Sequence, residues 1–258
     1  MNTATVLELE DVITADEAHA TAEHLASLQI DSGMIPWYPG GHCDPWNHVE
    51  TAMSLDVVGF HSSAERAYDW LADTQRPDGS WHNYYNSDGT VEETKLDTNV
   101  CAYVATGVWH HWLCTRDVQF VERMWPTVQR ALDFVLSLRR ADGLSVWAIE
   151  PNERPWTYSL LTGTASIQHA LRLGADIADL VGSPAVGTAW RAASDVKIAA
   201  IYREVDRPER AASAFEPKTR WAMDWYYPVL TGALTGAAAK ARLADRWETF
   251  AMEGHGIR

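Results

Sequence analysis

Three turns of similar composition, each followed by a tryptophan, constrain the fold of this chain more than any other feature. The fullest is residues 75–81 (QRPDGSW), while residues 28–33 precede Trp37 and residues 138–143 precede Trp147. Each turn closes a segment whose apolar residues recur with helical spacing. The intervals between the three turn glycines are unequal, which excludes a strict solenoid. Helical hairpins joined by loops of variable length are the simplest architecture with these properties, and closure of the hairpins into a ring would bury their apolar faces.

Helical periodicity extends over most of the chain. Thr14 and Glu17 form a capping box, which marks the start of a helix. Helices are predicted over residues 14–29, 45–60, 63–74, 96–113, 117–139, 162–181, 184–202 and 231–250. Residues 82–95 and 205–220 are polar and are predicted to be loops, and no strand run is bounded by hairpin turns. The predicted fold class is all-α.

Length, charge and cysteine usage narrow the function. The 258 residues fit one domain, assigned here to residues 1–258. A net charge of −14 disfavours nucleic acid and anionic membranes as partners, because like charges repel. No apolar run is long enough for a bilayer, and the N-terminus does not resemble a signal peptide. Cys43, Cys101 and Cys114 are not in metal-ligand spacing, which indicates reduced thiols and a cytoplasmic location.

Residues 35–50 combine prolines, glycines, aromatics, histidines and carboxylates. Asp44 holds an N-cap position, with Pro45 at the first helical site. A helix N-terminus stabilises a carboxylate's charge, which suits a base or nucleophile. Asp44 is therefore the first catalytic candidate, although it can equally be a structural cap. The aromatic and histidine side chains here are candidates for binding a sugar: Trp37, Tyr38, His42, Trp46 and His48.

Two further aspartates are candidates for the pair of carboxyl groups that glycoside hydrolysis needs. Asp97 begins an apolar helix after a polar loop, and it is either a catalytic group or an N-cap. Asp224 is bracketed by tryptophans and tyrosines, which would raise its pKa as a general acid requires; alternatively it is salt-bridged to Arg220. Glu150 is a weaker candidate, and Glu50 is predicted to face away from Trp46.

Thirteen tryptophans in an acidic chain favour carbohydrate binding, although a bundle of large helices would also use them. Additional aromatics in or beside loops are candidates for stacking on sugar rings: Trp81, Tyr84, Trp147, Trp225 and Tyr226. His42, Cys43 and His48 could bind zinc, but no second cluster at metal spacing supports them. No metal or cofactor is expected, and the expected partner is an oligosaccharide or polysaccharide.

The motif at residues 75–81 resembles the Q-x-x-x-G-x-W repeat of α/α-toroid proteins, which include squalene–hopene cyclases and prenyltransferase β subunits. Residues 29–33 match half of this repeat, and residues 139–143 match it more weakly. The resemblance implies a ring of antiparallel helical hairpins. Because roughly nine predicted helices are too few to close such a ring, we expect either an open ring or further residues beyond Arg258. Such residues could supply the partner carboxylate.

A closer resemblance covers roughly residues 25–258. PGGHCDPWNHVE, GVWHHWL, MDWYYPVLTGAL and the helix start at Asp97 are similar to actinobacterial toroid proteins often labelled prenyltransferase-like. That group includes mycobacterial hydrolases of methylmannose polysaccharide, which are endo-acting α-mannosidases. The resemblance implies a hydrolase that cleaves α-mannosidic bonds through carboxylate acid/base catalysis.

Two other functions stay open at this stage. The repeat alone would suit a terpene cyclase or a prenyltransferase, but the D-x-D-D motif of the cyclases and the zinc motif of the prenyltransferases are both missing. A non-catalytic carbohydrate-binding protein would need the aromatics without a pair of perturbed carboxylates. The fold alone does not decide, because function lies in the site.

Overall fold

The computed structural model describes residues 12–150, 152, 154–207 and 212–257. The helices are α1 Ala15–Leu28, α2 Pro45–Val57, α3 His61–Thr74, α4 Thr98–Ala102, α5 Val104–Thr115, α6 Val118–Ser137, α7 Leu161–Leu180, α8 Pro184–Val205, α9 Ala222–Leu230 and α10 Gly236–Phe250. The strands are β1 Tyr84–Tyr85, β2 Val91–Glu93, β3 Leu96–Asp97, β4 Ala148–Ile149, β5 Ala251–Met252 and β6 Gly256–Ile257.

Successive helices pack as hairpins around a common core. α2 packs on α3, α5 on α6, and α7 on α8. The first members of these hairpins also pack on each other, since α2 contacts α5, α5 contacts α7, and α7 contacts α9. These contacts form an inner layer of α2, α4/α5, α7 and α9, with the alternate helices outside it. The inner helices begin at the same end of the molecule, because each outer helix returns the chain to that end.

The repeated turns brace the outer helices. The Gln75 side-chain amide donates to the carbonyls of Gly79 at 3.0 Å and Thr127 at 2.9 Å. The Trp81 indole N–H donates to the Leu71 carbonyl at 2.9 Å. The prediction that Gln75 and Trp81 brace this turn is confirmed.

The other two turns use related contacts. Gln29 donates to the carbonyls of Gly33 and Ser63, both at 2.9 Å. In the third turn, Lys197 of α8 donates to the Gly143 carbonyl at 3.1 Å. The third turn matches the repeat more weakly because the donor to the turn glycine carbonyl is a lysine from α8, whereas in the other two turns it is the turn's own glutamine.

Helix ends differ from the prediction where glycines intervene. α2 ends at Val57 rather than residue 60, because Gly59 adopts a left-handed φ of 88°. α10 begins at Gly236 rather than residue 231, after a turn in which Gly232 has a φ of 68°. The capping box at Thr14 and Glu17 is present as predicted.

Short strands are the main departure from the predicted loops. The predicted loop over residues 82–95 contains the antiparallel pair β1–β2. β3 pairs with β4, so that Leu96 lies opposite Ile149 and Asp97 opposite Ala148. Strands of two or three residues are too short to show an alternating pattern, and the all-α class is confirmed because helices supply most of the core. Within the described residues, none of the helices has the length and apolarity to cross a membrane.

Candidate active site

Asp44 caps the N-terminus of α2, and both oxygens of its carboxylate accept hydrogen bonds. Its side chain is only 5% exposed. The Trp37 indole N–H donates to Oδ2 at 2.8 Å, the Asn47 amide donates to the same oxygen at 2.7 Å, and the Asn47 backbone N–H donates to Oδ1 at 3.0 Å. The predicted N-cap is confirmed, and Asp44 also accepts hydrogen bonds from two side chains, Trp37 and Asn47, that an N-cap does not need. They fix the position of a negative charge at the helix end.

Asp97 occupies the N-cap position of α4, but its side chain makes no cap hydrogen bond. Its carboxylate lies instead beside Lys95, two residues earlier, whose ammonium is 3.5 Å from Oδ1. Burial raises the pKa of Asp97 to about 6; Lys95 opposes this rise, and the charges of Glu93 and Asp44 add to it. Asp97 is therefore a buried carboxyl group that keeps its proton at mildly acidic pH and senses the charge of Asp44.

Asp224 lies in the first turn of α9, and it accepts hydrogen bonds from Thr162 at the start of α7. The hydroxyl donates to Oδ1 at 2.6 Å and the backbone N–H at 3.3 Å. The alternative interpretation, a salt bridge to Arg220, is wrong: the Arg220 guanidinium lies over the Trp221 ring, 5.0 Å from its centroid. The side chain of Asp224 thus joins the N-terminal ends of two inner helices.

A cavity of about 610 Å³ opens beside Asp224. Most of its surface is apolar. It is lined by Trp147, Leu160, Thr162, Lys218, Arg220, Trp221, Ala222, Met223, Asp224, Tyr226 and Ile257. Trp147 connects this cavity to Asp97, because the Lys95 ammonium that pairs with Asp97 also lies 4.9 Å from the Trp147 ring centroid. Trp147 and Tyr226, both predicted as binding residues, therefore face a common space.

Aromatic side chains also surround Asp44 on its solvent side. His42 lies 4.8 Å from the rings of both Trp37 and Tyr84, and Trp37 lies 5.9 Å from Tyr84. Trp37 is 48% exposed and Tyr38 is 56% exposed. These four predicted residues form an accessible aromatic surface next to a fixed carboxylate, an arrangement that suits the apolar faces and hydroxyl groups of a sugar.

Three predicted binding residues are instead core residues. His48 is 1% exposed, accepts from the Ile35 N–H at 3.2 Å and donates to the Ala67 carbonyl at 2.9 Å; burial lowers its pKa to about 4. Trp81 is 1% exposed, and its indole N–H donates to the Leu71 carbonyl of α3. Trp225 is 1% exposed and donates to the Arg242 carbonyl at 2.6 Å. Helical phase turns His48 and Trp225 inward, and the turn at residues 75–81 packs Trp81 against α3, so none of the three side chains is accessible to a ligand.

The prediction for Glu50 is also wrong. Trp46 and Glu50 are four residues apart in α2, so they share one face of the helix. The Trp46 indole N–H donates to Glu50 Oε1 at 2.8 Å, and the Trp46 ring stacks on Tyr103 with centroids 4.2 Å apart. Glu150, the weaker candidate, lines a separate cavity of about 250 Å³.

The zinc hypothesis fits the geometry poorly. Both ring nitrogens of His48 are engaged in the core, and the His42 ring pairs with Glu92 at 2.8 Å. Across the described ranges, no group of three or more histidine, cysteine, aspartate or glutamate side chains is placed to hold a metal ion. The helix ends carry carboxyl groups in different environments, with Asp97 buried and Asp44 held by three N–H donors, and acid/base chemistry on a glycosidic bond requires such a difference.

Sequence reasoning missed several residues of the cavity. Thr162, Trp221 and Met223 line the cavity but were not predicted as site residues. Thr162 reaches Asp224 through a long-range contact, whereas Trp221 and Met223 lie within three residues of Asp224 in the sequence. Lys95, which lies beside Asp97, was not predicted either. Trp221, the N-cap of α9, begins the aromatic stretch at residues 221–227, which is a signal that could have identified it.

The comparisons with known proteins agree on the fold. None of the family profiles matches the chain. A solved structure titled "Glycosidase Wild Type" superposes with a TM-score of 0.72 at 14% identity, covering 93% of this chain and 70% of that one. The GH78 family rhamnosidase of Bacillus sp. GL1 gives a TM-score of 0.67 at 15% identity, covering 88% of this chain and 25% of that one. The α/α-toroid prediction is confirmed.

Sequence comparison is more specific. The chain is 47% identical over 248 residues to "MMP endo-(1,4)-3-O-methyl-alpha-D-mannosidase" of Mycolicibacterium hassiacum, an alignment that covers 96% of the chain. The chain is a homologue of that protein. It spans 66% of the relative's length. An uncharacterized glycosyl hydrolase of Methanocaldococcus jannaschii is 27% identical over 84 residues, which are 33% of this chain and 14% of that protein.

Proposed function

We propose that the protein is a glycoside hydrolase that cleaves α-mannosidic bonds within a methylated mannose polysaccharide in the cytoplasm. The observation that carries the proposal is that two different carboxyl groups, Asp44 and Asp97, lie at the N-terminal ends of adjacent inner helices, near enough for the charge of Asp44 to add to the raised pKa of Asp97. Glycosidases need one carboxyl group that keeps its proton and one that does not. The name of the 47%-identical relative supports the substrate.

The environments of the two groups assign their roles in this proposal. Asp97 acts as the general acid, because burial holds its pKa near 6 and leaves it partly protonated near neutrality. Asp44 acts as the base or nucleophile, because three N–H donors stabilise its charge. Asp224 binds a sugar hydroxyl through the oxygen that Thr162 leaves free, since both Thr162 donors use Oδ1.

The apolar cavity supports a methylated substrate. An unmodified mannose presents many hydroxyl groups, whereas an O-methyl group adds a small apolar surface that gains by leaving water. Trp221 and Met223 are 57% and 39% exposed, and both line the cavity beside Asp224. Apolar side chains that are accessible yet recessed in a cavity can bind such methyl groups.

The proposal is tested by incubating the protein with (1,4)-linked α-oligosaccharides of 3-O-methylmannose and with unmethylated mannose oligosaccharides of equal length. We expect shorter methylmannose products, detected by mass spectrometry, with the same rate in the presence of EDTA. Binding of the oligosaccharide without cleavage would instead establish a carbohydrate-binding protein. Neither binding nor cleavage would reject the proposal.

The cavity makes a prediction about selectivity. One buried methyl group contributes about 0.8 kcal/mol, or roughly fourfold in rate. Met223→Ala or Trp221→Ala should therefore reduce the ratio of kcat/KM for methylated over unmethylated oligosaccharide by about fourfold or more. Leu113→Ala, at a 46%-exposed position near the end of α5, is the matched control and should leave the ratio unchanged. Equal ratios in all four proteins would place methyl recognition elsewhere.

A further inference from the structure

Glu50 is a carboxylate of the inner layer that the proposed mechanism does not use. It lies in the second turn of α2, close to the helix end that Asp44 caps. Two donors hold it from different elements: the Trp46 indole N–H at 2.8 Å, and the Tyr103 hydroxyl, from the junction of α4 and α5, at 3.2 Å. Trp46 and Tyr103 are themselves stacked in parallel, with an interplanar angle of 1°. The side chain is therefore rigidly placed.

Both donors use the same oxygen of Glu50. Trp46 and Tyr103 each donate to Oε1. Among the described residues no donor reaches Oε2, and that oxygen is not enclosed by the protein. A carboxylate that is fixed through one oxygen and leaves the other open to solvent is built to accept a hydrogen bond from outside the chain.

The neighbours of Glu50 place it within the candidate active site. The titratable groups that face it are Asp44 at the start of α2, Tyr103 between α4 and α5, and Tyr226 and Tyr227 on α9. Tyr226 also lines the cavity beside Asp224. Burial raises the pKa of Glu50, the hydrogen bonds from Trp46 and Tyr103 oppose the rise, and the charge of Asp44 adds to it. Glu50 thus lies between the Asp44 side and the cavity side of the site.

We propose that Glu50 contacts the substrate directly, with Oε2 of the ionised carboxylate accepting a hydrogen bond from a sugar hydroxyl. This role rests on the proposed hydrolase function and adds a substrate contact to it. Glu50 transfers no proton in this role. Because only the ionised form accepts through both oxygens, protonation of Glu50 weakens the contact as the pH falls.

Glu50→Gln separates this role from that of a structural brace. The amide oxygen can still accept from Trp46 and Tyr103, so the brace is kept while the charge is lost. Because the variant loses a hydrogen bond to a charged group, we expect its kcat/KM on methylmannose oligosaccharide to fall by roughly 10- to 100-fold at neutral pH. The melting temperature should change little. Glu122→Gln, at an exposed position on α6, is the control and should keep wild-type kinetics.

The pH dependence of the effect gives the decisive readout. The ratio of wild-type to Glu50→Gln kcat/KM should fall as the pH is lowered, because protonated Glu50 is uncharged, like the glutamine of the variant. A ratio that stays constant with pH, or a Glu50→Gln protein as active as wild type, would overturn the contact and leave the hydrolase function intact. If the wild-type protein neither binds the oligosaccharide by calorimetry nor cleaves it, the hydrolase function and this inference both fail.

Discussion

Asp97→Asn is expected to remove most hydrolytic turnover and, at neutral pH, to make the folded protein more stable. Loss of an acid/base carboxyl group typically costs 10² to 10⁴ in rate, or roughly 3–5 kcal/mol of transition-state stabilisation. The stability change has the opposite sign because the charged form of Asp97 is buried. Its pKa is 3.8 in ordinary surroundings and about 6 in the fold. The folded state therefore holds the proton more tightly than the unfolded state.

The direction of the pH dependence follows from this difference. A raised carboxyl pKa makes the folded protein most stable below about pH 4; stability then declines as the pH rises to about 6 and stays at the lower level. The interval corresponds to at most about 3 kcal/mol. Asparagine has no charge to bury, so the variant should lack the decline.

Chemical denaturation of wild type and Asp97→Asn between about pH 4 and pH 7 measures the effect, with the interval set by the pKa of Asp97. Asp73→Asn, at an exposed position on α3, is the control and should show neither change. A variant that is inactive and also less stable at pH 7 would point to a structural aspartate. An active variant would remove Asp97 from the mechanism, and the general acid would then have to be sought at Asp224.

The structure changes the expected effect of Asp44→Asn on folding. On sequence grounds, Asp44→Asn preserves shape and leaves folding intact. In the structure, Oδ2 accepts from both the Trp37 indole and the Asn47 amide. If the side-chain oxygen of the introduced asparagine keeps the cap by accepting from the Asn47 backbone N–H, its NH₂ group takes the place of Oδ2. That NH₂ group would then face the Trp37 indole N–H and the Asn47 amide, which are also donors. Loss of activity in this variant therefore has to be interpreted together with its melting temperature.

The sequence predicts local features of this fold well. The helices, the caps at Thr14 and Asp44, and the brace between Gln75 and Gly79 follow from contacts within a few residues or from a motif that encodes them. Asp44 was identified for the same reason, because a cap followed by proline is readable from adjacent positions. Its two side-chain donors also lie within seven residues of it.

The environment of the other site residues depends on distant parts of the chain. Asp97 is positioned by the pairing of β3 with β4, which lie about fifty residues apart and are too short to leave a pattern. Asp224 is held by Thr162, from a helix two hairpin elements earlier. His48 was predicted to bind sugar because it lies in the stretch at residues 35–50, which is rich in aromatic and polar side chains. Only the packing of α2 on α3 shows that its ring faces the Ala67 carbonyl.

Gly79→Ala is expected to be among the most destabilising single substitutions in the chain. Gly79 has a φ of 91°, and an added Cβ would lie 2.2 Å from the Arg130 carbonyl oxygen of α6. A carbonyl in a helix cannot rotate away, so the turn or α6 would have to move. Movement would also break the hydrogen bonds that Gln75 donates to Gly79 and Thr127. Gly33 repeats this geometry, with a Cβ position 2.2 Å from the Arg66 carbonyl.

Gly89→Ala isolates the contribution of backbone strain from that of the steric contact. Gly89 has a similar φ of 83°, but nothing lies within 4 Å of its Cβ position. A left-handed alanine alone costs about 1–2 kcal/mol. Overpacking against a fixed backbone adds roughly 1–3 kcal/mol. We therefore expect Gly79→Ala to lose roughly 2–5 kcal/mol in the free energy of unfolding, against about 1–2 kcal/mol for Gly89→Ala.

Thermal unfolding measures the pair, and about 2–4 °C per kcal/mol applies to a domain of this size. Gly79→Ala should melt roughly 4–20 °C below wild type and Gly89→Ala roughly 2–8 °C below. Equal losses of melting temperature in the two variants would mean that the left-handed backbone alone explains why a glycine recurs four residues after the glutamine in the first two turns. A larger loss at Gly79 would show that the turn needs glycine because α6 approaches it so closely. The three turns would then act as contacts between successive hairpins, which hold the inner helix ends, and with them Asp44 and Asp97, in register.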